Sequence, residues 1–252
     1  DFTIATDKNL DVKSLQIFHS SKIKFLPIGV GDKFPNLEDF SIDNCSIKII
    51  SYENFKGIYN LKELHIVFTE IETIKSGIFD DLKNLIELNL SGNKISFIAE
   101  DAFKNLNSLS NLILNQNQLT ILSFSLDSCL NLRYFAIQEN DILIIPKGLL
   151  RHNKKLNYFF AASNQLQSIP NRALGRKNLL IVDLSFNTCI DFKYQKNKPK
   201  SAQQQYFESF KSKDIKFLKD DLKKNCLPKE AGNEEKSTKL ASKTLECMLN
   251  FS

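Results

Sequence analysis

The stretch LIELNLSGNKISFI, residues 85–98, joins a strand pattern to a turn position occupied by an amide. Leu85, Leu88 and Leu90 have the spacing of a short strand with one apolar face. An asparagine, Asn93, ends this pattern. A strand that turns away from its sheet leaves backbone N–H and C=O groups without ladder partners. Because an amide side chain supplies both donors and an acceptor, we expect Asn93 to be buried and to satisfy the backbone of the turn.

The same register returns along the chain every 23 to 25 residues. The further copies span residues 12–22, 37–47, 61–71, 109–119, 132–142, 156–166 and 179–189. The positions equivalent to Asn93 are Ser20, Cys45, Thr69, Asn117, Asn140, Asn164 and Asn187. The pattern LxxLxLxxN/CxL with a period in the twenties is typical of the leucine-rich repeat. One copy cannot bury its apolar face alone, so the copies must stack. This predicts an α/β solenoid, a horseshoe of about eight repeats with a parallel β-sheet on its concave side.

Two places depart from the repeat. Cys45 and Thr69 are smaller than asparagine, so we expect fewer turn hydrogen bonds at the N-terminal end. In the returning segments, early copies place Leu82 or Leu106 three residues before the first strand leucine, whereas a later copy has Asn153 there. We therefore expect looser packing of the return layer near Asn153.

Composition divides the chain into residues 1–189, a repeat solenoid with an N-terminal edge segment, and residues 190–252, a helical cap. The second part holds 14 lysines against nine acidic residues, and so carries the whole net charge of +5. Apolar residues within 201–226 approximate one helical face. The interleaved acidic residues favour a solvated helix over an anion-binding surface. No run of 18 or more apolar residues occurs, so the sequence predicts no membrane span.

The five cysteines are compatible with one disulfide in the cap. Cys45 and Cys129 take inward positions of the repeat, and we expect buried thiols there. A bridge from Cys189 to either Cys226 or Cys247 would tie the cap over the open end of the core, and would stabilise it by about 2–4 kcal/mol. The remaining cysteine would be free or paired with another chain, and a bridge implies an extracellular compartment. No metal-ligand spacing occurs, and the sequence indicates neither a metal nor a cofactor.

Residues 12–189 resemble the extracellular leucine-rich repeat family. The segment NTCIDFKY, residues 187–194, is similar to the capping segment of small secreted insect proteins of that family, among them the mosquito leucine-rich immune proteins. This resemblance implies a secreted glycoprotein of innate immunity that is disulfide-linked to a partner, such as a second leucine-rich repeat protein. The chain departs from those proteins in having no long coiled coil.

Residues that alternate with the inward leucines point into the concave face. The later repeats place an apolar and aromatic group there: Ile113, Tyr134, Tyr158, Phe160 and Ile181. The earlier repeats place an acidic group with one histidine there: Asp39, Asp43, Glu63, His65 and Glu87. An aromatic cluster on a rigid face is typical of a protein-binding hot spot, and the carboxylates would attract a basic partner. The alternative is that Tyr158 and Phe160 only pack against each other, or that the cap covers them.

An enzyme is the less favoured interpretation of the same face. Ser41 and His65, with a neighbouring glutamate, would suit a hydrolase, but no GxSxG elbow or oxyanion hole is encoded. The sequence therefore indicates a non-enzymatic recognition module. The acidic and neutral concave rows argue against nucleic acid as the partner. A further alternative is the ectodomain of a cell-surface receptor, which an apolar segment of about 20 residues in the full-length gene product would reveal.

Three sequons are candidate glycosylation sites: Asn44, Asn89 and Asn250. Asn89 belongs to the concave face. A glycan on Asn89 would therefore obstruct the middle of that face and move the binding site toward the aromatic rows.

Overall fold

The computed structural model describes residues 10–167, 169, 178–188 and 193–195, the last three by backbone alone. The strands are β1 (Ser14–Ser20), β2 (Asp39–Cys45), β3 (Glu63–Val67), β4 (Thr73–Ile74), β5 (Glu87–Asn89), β6 (Phe97–Ile98), β7 (Asn111–Ile113), β8 (Tyr134–Ala136), β9 (Tyr158–Phe160), β10 (Ile181–Asp183) and β11 (Lys193–Gln195). Nine of them form one sheet in the order β1-β2-β3-β5-β7-β8-β9-β10-β11, and β4 pairs with β6.

The sheet is parallel from β1 to β10, and each strand pairs with the next at the same repeat position. Glu63 pairs with Glu87, for example, and Glu87 pairs with Asn111. The last strand, β11, runs antiparallel to β10 and covers that edge of the sheet. Eight parallel strands thus enclose seven returns, which makes a parallel β-solenoid. The predicted parallel concave sheet is confirmed.

The described returns contain little helix, which corrects the α/β class predicted for the solenoid. The two helices, α1 (Val30–Lys33) and α2 (Tyr52–Phe55), have four residues each. A later return runs through successive tight turns instead: the Leu82 N–H donates to the Phe79 carbonyl at 3.0 Å, and the Leu85 N–H to the Leu82 carbonyl at 3.0 Å. Apolar residues three apart stay on one side of the chain when it has about three residues per turn, not 3.6.

Most of the predicted helical cap, residues 190–252, lies outside the described residues, as do all three of its candidate cysteines, Cys189, Cys226 and Cys247. Only the backbone of β11 is described within that range. None of the described helices has the length and apolar surface needed to cross a bilayer.

A continuous core runs between the strand layer and the return layer. The strand leucines Leu85, Leu88 and Leu90 are fully buried. On the return side the ring centroids of Phe55 and Phe79 lie 5.8 Å apart, and those of Phe79 and Phe103 lie 6.4 Å apart. Each fully buried side chain of this size stabilises the fold by about 1.5–3 kcal/mol. The aromatic row therefore joins one return to the next.

An asparagine closes each later turn and is buried in all of them except that of Asn187, where it is half-buried. This is the role that the sequence predicts for Asn93. We call the following set the asparagine ladder: Asn93, Asn117, Asn140, Asn164 and Asn187. The Asn117 amide accepts a hydrogen bond from the Ile95 N–H at 3.0 Å. It donates to the carbonyls of Leu90 at 3.0 Å and Leu114 at 3.1 Å. Each ladder residue thus joins its own turn to the preceding one.

The first three turns lack such an amide, because Ser20, Cys45 and Thr69 occupy the turn position there. Cys45 donates only to the Asp43 carbonyl within its own turn, at 3.5 Å. Thr69 donates to the Asn93 side-chain oxygen. The expected shortage of turn hydrogen bonds at the N-terminal end is confirmed. Cys45 and Cys129 are buried thiols, as predicted, and burial raises the pKa of Cys129 to about 12.

The expectation of loose packing at Asn153 is wrong. Asn153 is fully buried, and its amide donates to the Leu126 carbonyl at 2.9 Å and the Cys129 carbonyl at 2.8 Å. Compared with a leucine at this position, Asn153 makes less apolar contact but forms hydrogen bonds to the preceding return. A buried amide in a leucine position therefore also links neighbouring turns. Because it has hydrogen-bond partners, it avoids most of the desolvation cost of a buried polar group.

In each of the eight repeats, the residue before the turn position that Asn93 occupies adopts a left-handed backbone conformation. The positions are His19, Asn44, Phe68, Gly92, Gln116, Glu139, Ser163 and Phe186, with φ between 46° and 68°. Gly92 has an additional reason to be glycine, because a Cβ there would lie 2.3 Å from Cδ1 of Phe68. The exposed Phe68 ring therefore covers the start of the next turn.

Candidate functional site

The concave face consists of the outward positions of the eight parallel strands. Its first rows are polar and its later rows are apolar, as the register predicts. Every strand is fixed to its neighbours by the backbone ladder, so the side chains of the face stand on a rigid support. Neighbouring rows in such a sheet lie about 4.8 Å apart.

The aromatic group forms one contiguous cluster around Tyr134. The Tyr134 ring lies 6.1 Å from that of Tyr158 and 5.2 Å from that of Phe160, measured between centroids. Tyr134 and Tyr158 are half-buried, but Phe160 is only 8% exposed. The expectation that Phe160 belongs to the exposed surface is therefore wrong, since Tyr134 packs over it. Phe160 supports the two tyrosines from below.

Two aliphatic residues extend this cluster across the sheet. Ile181 is half-buried and pairs with Tyr158 on the next strand. Ile113 is half-buried and pairs with Ala136, next to Tyr134 on β8. The sequence-predicted apolar group thus occupies neighbouring strands from β7 to β10.

The carboxylates of the earlier rows are held by internal donors. Asp39 accepts hydrogen bonds from the Ser14 hydroxyl at 2.7 Å and the Ser41 hydroxyl at 3.0 Å. Glu87 accepts one from the Asn111 amide at 2.7 Å. Neutral donors fix the orientation of a carboxylate without cancelling its charge. Glu63 is exposed and Asp43 is half-buried, so these rows remain net negative.

His65 lies in the middle of the acidic rows. Its Nε2 is 3.2 Å from Oε1 of Glu87, and both side chains are about a quarter exposed (28% and 25%). The Glu87 hydrogen bond raises the pKa of His65 above its ordinary value, against the opposing effect of burial, and Glu63 and Asp39 add to the rise. The same contact lowers the pKa of Glu87. The pair is therefore strongest where both groups are charged.

Tyr134 is coupled weakly to this acidic group. Burial raises the pKa of the Tyr134 hydroxyl, and the charge of Glu87 adds to the rise. The tyrosine therefore stays neutral at physiological pH. The acidic and aromatic groups are adjacent regions of one face.

The hydrolase arrangement does not form. The Ser41 hydroxyl donates to Asp39, and His65 contacts Glu87. Although Ser41 and His65 are paired across β2 and β3, the contacts of the serine hydroxyl and the imidazole go to different carboxylates. A serine nucleophile requires its base within hydrogen-bond reach.

The two described sequons differ in their surroundings. Asn44 is exposed at the end of β2, and its amide nitrogen lies 3.1 Å from Nδ1 of His19. Asn89 is half-buried on β5, and its side-chain oxygen accepts from the Ser91 N–H at 3.0 Å and the Ser91 hydroxyl at 2.7 Å. Asn250 lies outside the described residues.

A second polar surface, not anticipated from the sequence, follows the edge where the strands begin. Exposed asparagines there donate to carbonyls of the preceding return: Asn36 to Leu10, Asn60 to Pro35 and Asn84 to Tyr59, at 2.9–3.0 Å. Lys62 and Lys13 flank Glu38 and lower its pKa to about 2. These groups line an open groove of about 570 Å³. The signal was available, because an asparagine precedes the first strand leucine in most repeats.

Comparison with known proteins supports a leucine-rich repeat family. The family model described as leucine rich repeat matches residues 59–119. No curated protein sequence matches the chain. Solved structures with a similar fold include a crystal structure of a TLR13–ssRNA13 complex, with 22% identity, a TM-score of 0.61 and coverage of 69% of this chain.

A second similar fold occurs in an octameric complex of Latrophilin 3, Unc5D and FLRT2 (LRR), with 20% identity and a TM-score of 0.56 over 70% of this chain. The chain spans 25% of the length of the first neighbour and 62% of the second. At this level of identity the similarity shows the fold alone, a leucine-rich repeat solenoid.

Proposed function

We propose that this protein is an extracellular, non-enzymatic recognition module that binds a protein partner through its concave face. The observation that carries the proposal is the pair of half-exposed tyrosines, Tyr134 and Tyr158, supported by the buried Phe160. A tyrosine offers a large contact area with few rotatable bonds, and such residues dominate the binding energy of interfaces. Ile113 and Ile181 complete the apolar contact.

The acidic rows set the kind of partner. Asp39, Asp43, Glu63 and Glu87 lie on strands that precede the tyrosines. A partner that places a basic segment there and an apolar side chain on the tyrosines would satisfy both regions. Charge complementarity of this kind chiefly raises the association rate and fixes orientation. The FLRT2 neighbour, whose repeats occur in a complex with Latrophilin 3 and Unc5D, supports a protein partner.

Nucleic acid is less favoured, although the TLR13 neighbour is a complex with ssRNA13. A nucleic acid partner requires basic groups that neutralise its phosphates. The concave face presents carboxylates at those positions instead. The Lys-rich residues 190–252 are the part of the chain that would suit a polyanion.

The resemblance to small secreted insect proteins supports a partner in innate immunity, with a second leucine-rich repeat protein as one candidate. In this proposal residues 190–252 form a helical cap, closed by a disulfide between two of Cys189, Cys226 and Cys247. The remaining cysteine is available to the partner. An ectodomain of a cell-surface receptor would use the same concave face, and the full-length gene product distinguishes the two through an apolar segment of about 20 residues.

Glycosylation at Asn44 is compatible with this role, because Asn44 is exposed at the end of β2 and away from the tyrosines. Asn89, in the floor of the face, would place a glycan between the acidic and aromatic regions. Asn250 is a third candidate. Peptide mapping of the secreted protein tests these sites, and occupancy at Asn89 would restrict binding to the rows beyond residue 134.

The test is capture of partners from native extracellular fluid by the full chain, with and without reductant. The variant Tyr134→Ala with Tyr158→Ala is compared with Tyr59→Ala, which removes a 60% exposed tyrosine from a return instead. We expect the concave variant to lose the captured partner by about tenfold or more, as for a hot-spot pair. The control should retain it. Equal capture by both variants would refute the concave site.

A further inference from the structure

The first two turns expose an apolar patch on the side of the solenoid, away from the concave face. After β1 and β2 the chain runs as KIKFLPI (22–28) and SIKIISY (46–52). A single parallel bridge pairs Phe25 with Ile49. Phe25 is 75% exposed, Ile49 is 66% exposed and Ile28 is 67% exposed. We call these three residues the lateral patch.

The core does not require the lateral patch. The residues that follow Phe25 and Ile49, namely Leu26 and Ile50, are the buried ones at this level, with 5% and 3% exposure. Large apolar side chains that remain two-thirds exposed lose little surface to folding. When several lie together on a soluble fold they mark an interaction surface.

Lysines flank the lateral patch, and carboxylates do not occur within its two segments. The charged residues of 22–28 and 46–52 are Lys22, Lys24 and Lys48. The equivalent segment of the next turn reads EIETIKS (70–76). Glu72 and Thr73 replace Lys48 and Ile49 there, and Glu70 replaces Ser46 and lies 3.9 Å from the Lys48 ammonium. The basic, apolar character is therefore confined to the first two turns, where Lys22 and Lys24 are exposed.

We propose that the lateral patch docks this protein onto an anionic lipid surface. The three apolar side chains insert at the boundary between headgroups and acyl chains, while the lysine ammonium groups contact anionic headgroups. Apolar insertion combined with flanking lysines is how peripheral proteins bind such surfaces. Protein–protein interfaces, in contrast, are depleted of lysine.

This surface is independent of the concave site. The lateral patch follows the ends of β1 and β2, whereas Tyr134 and Tyr158 belong to β8 and β9. A protein docked by its first two turns therefore presents its aromatic rows to solution. The two sites would let one molecule bind a partner at a membrane surface.

The test is flotation of the full chain with phosphatidylcholine vesicles, with and without phosphatidylserine. We expect preferential binding to vesicles that contain phosphatidylserine. Phe25→Ser with Ile49→Ser should weaken that binding by about tenfold or more, because both side chains lose their transfer into lipid. Lys24→Gln with Lys48→Gln should weaken it by about fivefold per lysine and should leave binding to phosphatidylcholine alone unchanged.

Leu130→Ser is the matched control, since Leu130 is an apolar residue with 54% exposure in a later return. It should bind vesicles as the unmodified chain does. Far-UV circular dichroism of all variants checks that they fold. If Phe25→Ser with Ile49→Ser binds as tightly as the control, the Lys-rich residues 190–252 hold the vesicle and the proposal is overturned. Absence of any preference for phosphatidylserine in the unmodified chain also overturns it.

Discussion

The central turns, from β5 to β9, and the first turns, from β1 to β3, bury similar apolar rows but close their bends differently. Asn117 in the centre forms hydrogen bonds to two turns, whereas Cys45 near the N-terminus makes one bond within its own turn. Leu15 and Ile17 of β1 are also only partly buried. The centre is therefore held by apolar contact and turn amides together. The N-terminal end has no turn amide and relies on apolar contact, the strand ladder and bonds between returns, such as that from the buried Asn54 amide to the Leu26 carbonyl at 3.1 Å. The turns that lack a turn amide also carry the lateral patch.

The substitution with the largest expected effect on stability removes an amide of the asparagine ladder. Asn117→Ala leaves the Ile95 N–H without its partner. It also removes one of two amide donors from the Leu90 and Leu114 carbonyls, which keep those of Asn93 and Asn140. The unpaired N–H costs about 1–3 kcal/mol and each of the two lost hydrogen bonds about 1 kcal/mol, so we expect the unfolding free energy to fall by about 3–5 kcal/mol. Urea denaturation followed by circular dichroism measures it.

Gln118→Ala is the control for that change, because Gln118 is the exposed neighbour of Asn117. It should alter unfolding free energy by no more than about 0.5 kcal/mol. Equal effects of the two substitutions would mean that the asparagine ladder does not distinguish the central turns.

The position before the ladder gives the next largest effect. Gly92→Ala places a Cβ 2.3 Å from the Phe68 ring at a φ of +68°. We expect a loss of about 2 kcal/mol, of which about 1 kcal/mol is left-handed backbone strain. Adding Phe68→Ala should relieve the steric part. Gly148→Ala, where nothing lies within 4 Å of the added Cβ, should be neutral or slightly stabilising in the same denaturation experiment.

Because the first turns have no turn amide, we expect that adding one will raise the unfolding free energy. Cys45→Asn supplies the missing amide next to the carbonyls of β2, and we expect a gain of about 1 kcal/mol in unfolding free energy. Cys45→Ala removes the buried thiol without supplying an amide, and should lose about 1 kcal/mol. A loss of stability in Cys45→Asn as large as in Cys45→Ala would show that this turn is closed by packing and cannot accept an amide.

The repeat register made most of the fold predictable from sequence. It placed the eight parallel strands of the large sheet, but not β4 and β6, and assigned Asn93 its buried, hydrogen-bonded role. The register failed at Asn153. Because other repeats have leucine at this position, it was expected to need an apolar side chain. The Asn153 amide instead donates to carbonyls of the preceding return. The register also predicted helical returns, although the spacing of three between Phe79 and Leu82 favours tighter turns.

The sequence predicted which residues belong to the candidate site, but it did not predict how deeply each of them is buried. Alternation along the strands identified which residues share the concave face. It could not tell that Phe160 lies beneath Tyr134, since that depends on packing across two strands. The lateral patch was missed because Phe25 and Ile49 occupy the segments after the strands, outside the alternating pattern.

The smallest expected effect concerns the pH dependence of the acidic rows. Folding raises the pKa of His65 and lowers that of Glu87 through their mutual contact. The stability from His65 is therefore fully present below its unfolded pKa of about 6.5, and is lost as pH rises through its higher folded value. The stability from Glu87 is present above its unfolded pKa and is lost as pH falls through its lower folded value. The pair thus contributes most between about pH 4.5 and 6.5.

We expect raising the pH from 6 to 9 to reduce unfolding free energy by no more than about 1 kcal/mol through this pair, as for a partly exposed ion pair. His65→Gln should remove that part of the pH dependence. Urea midpoints of both proteins across this range measure it. An identical pH dependence in the two proteins would show that the His65–Glu87 contact does not respond to pH.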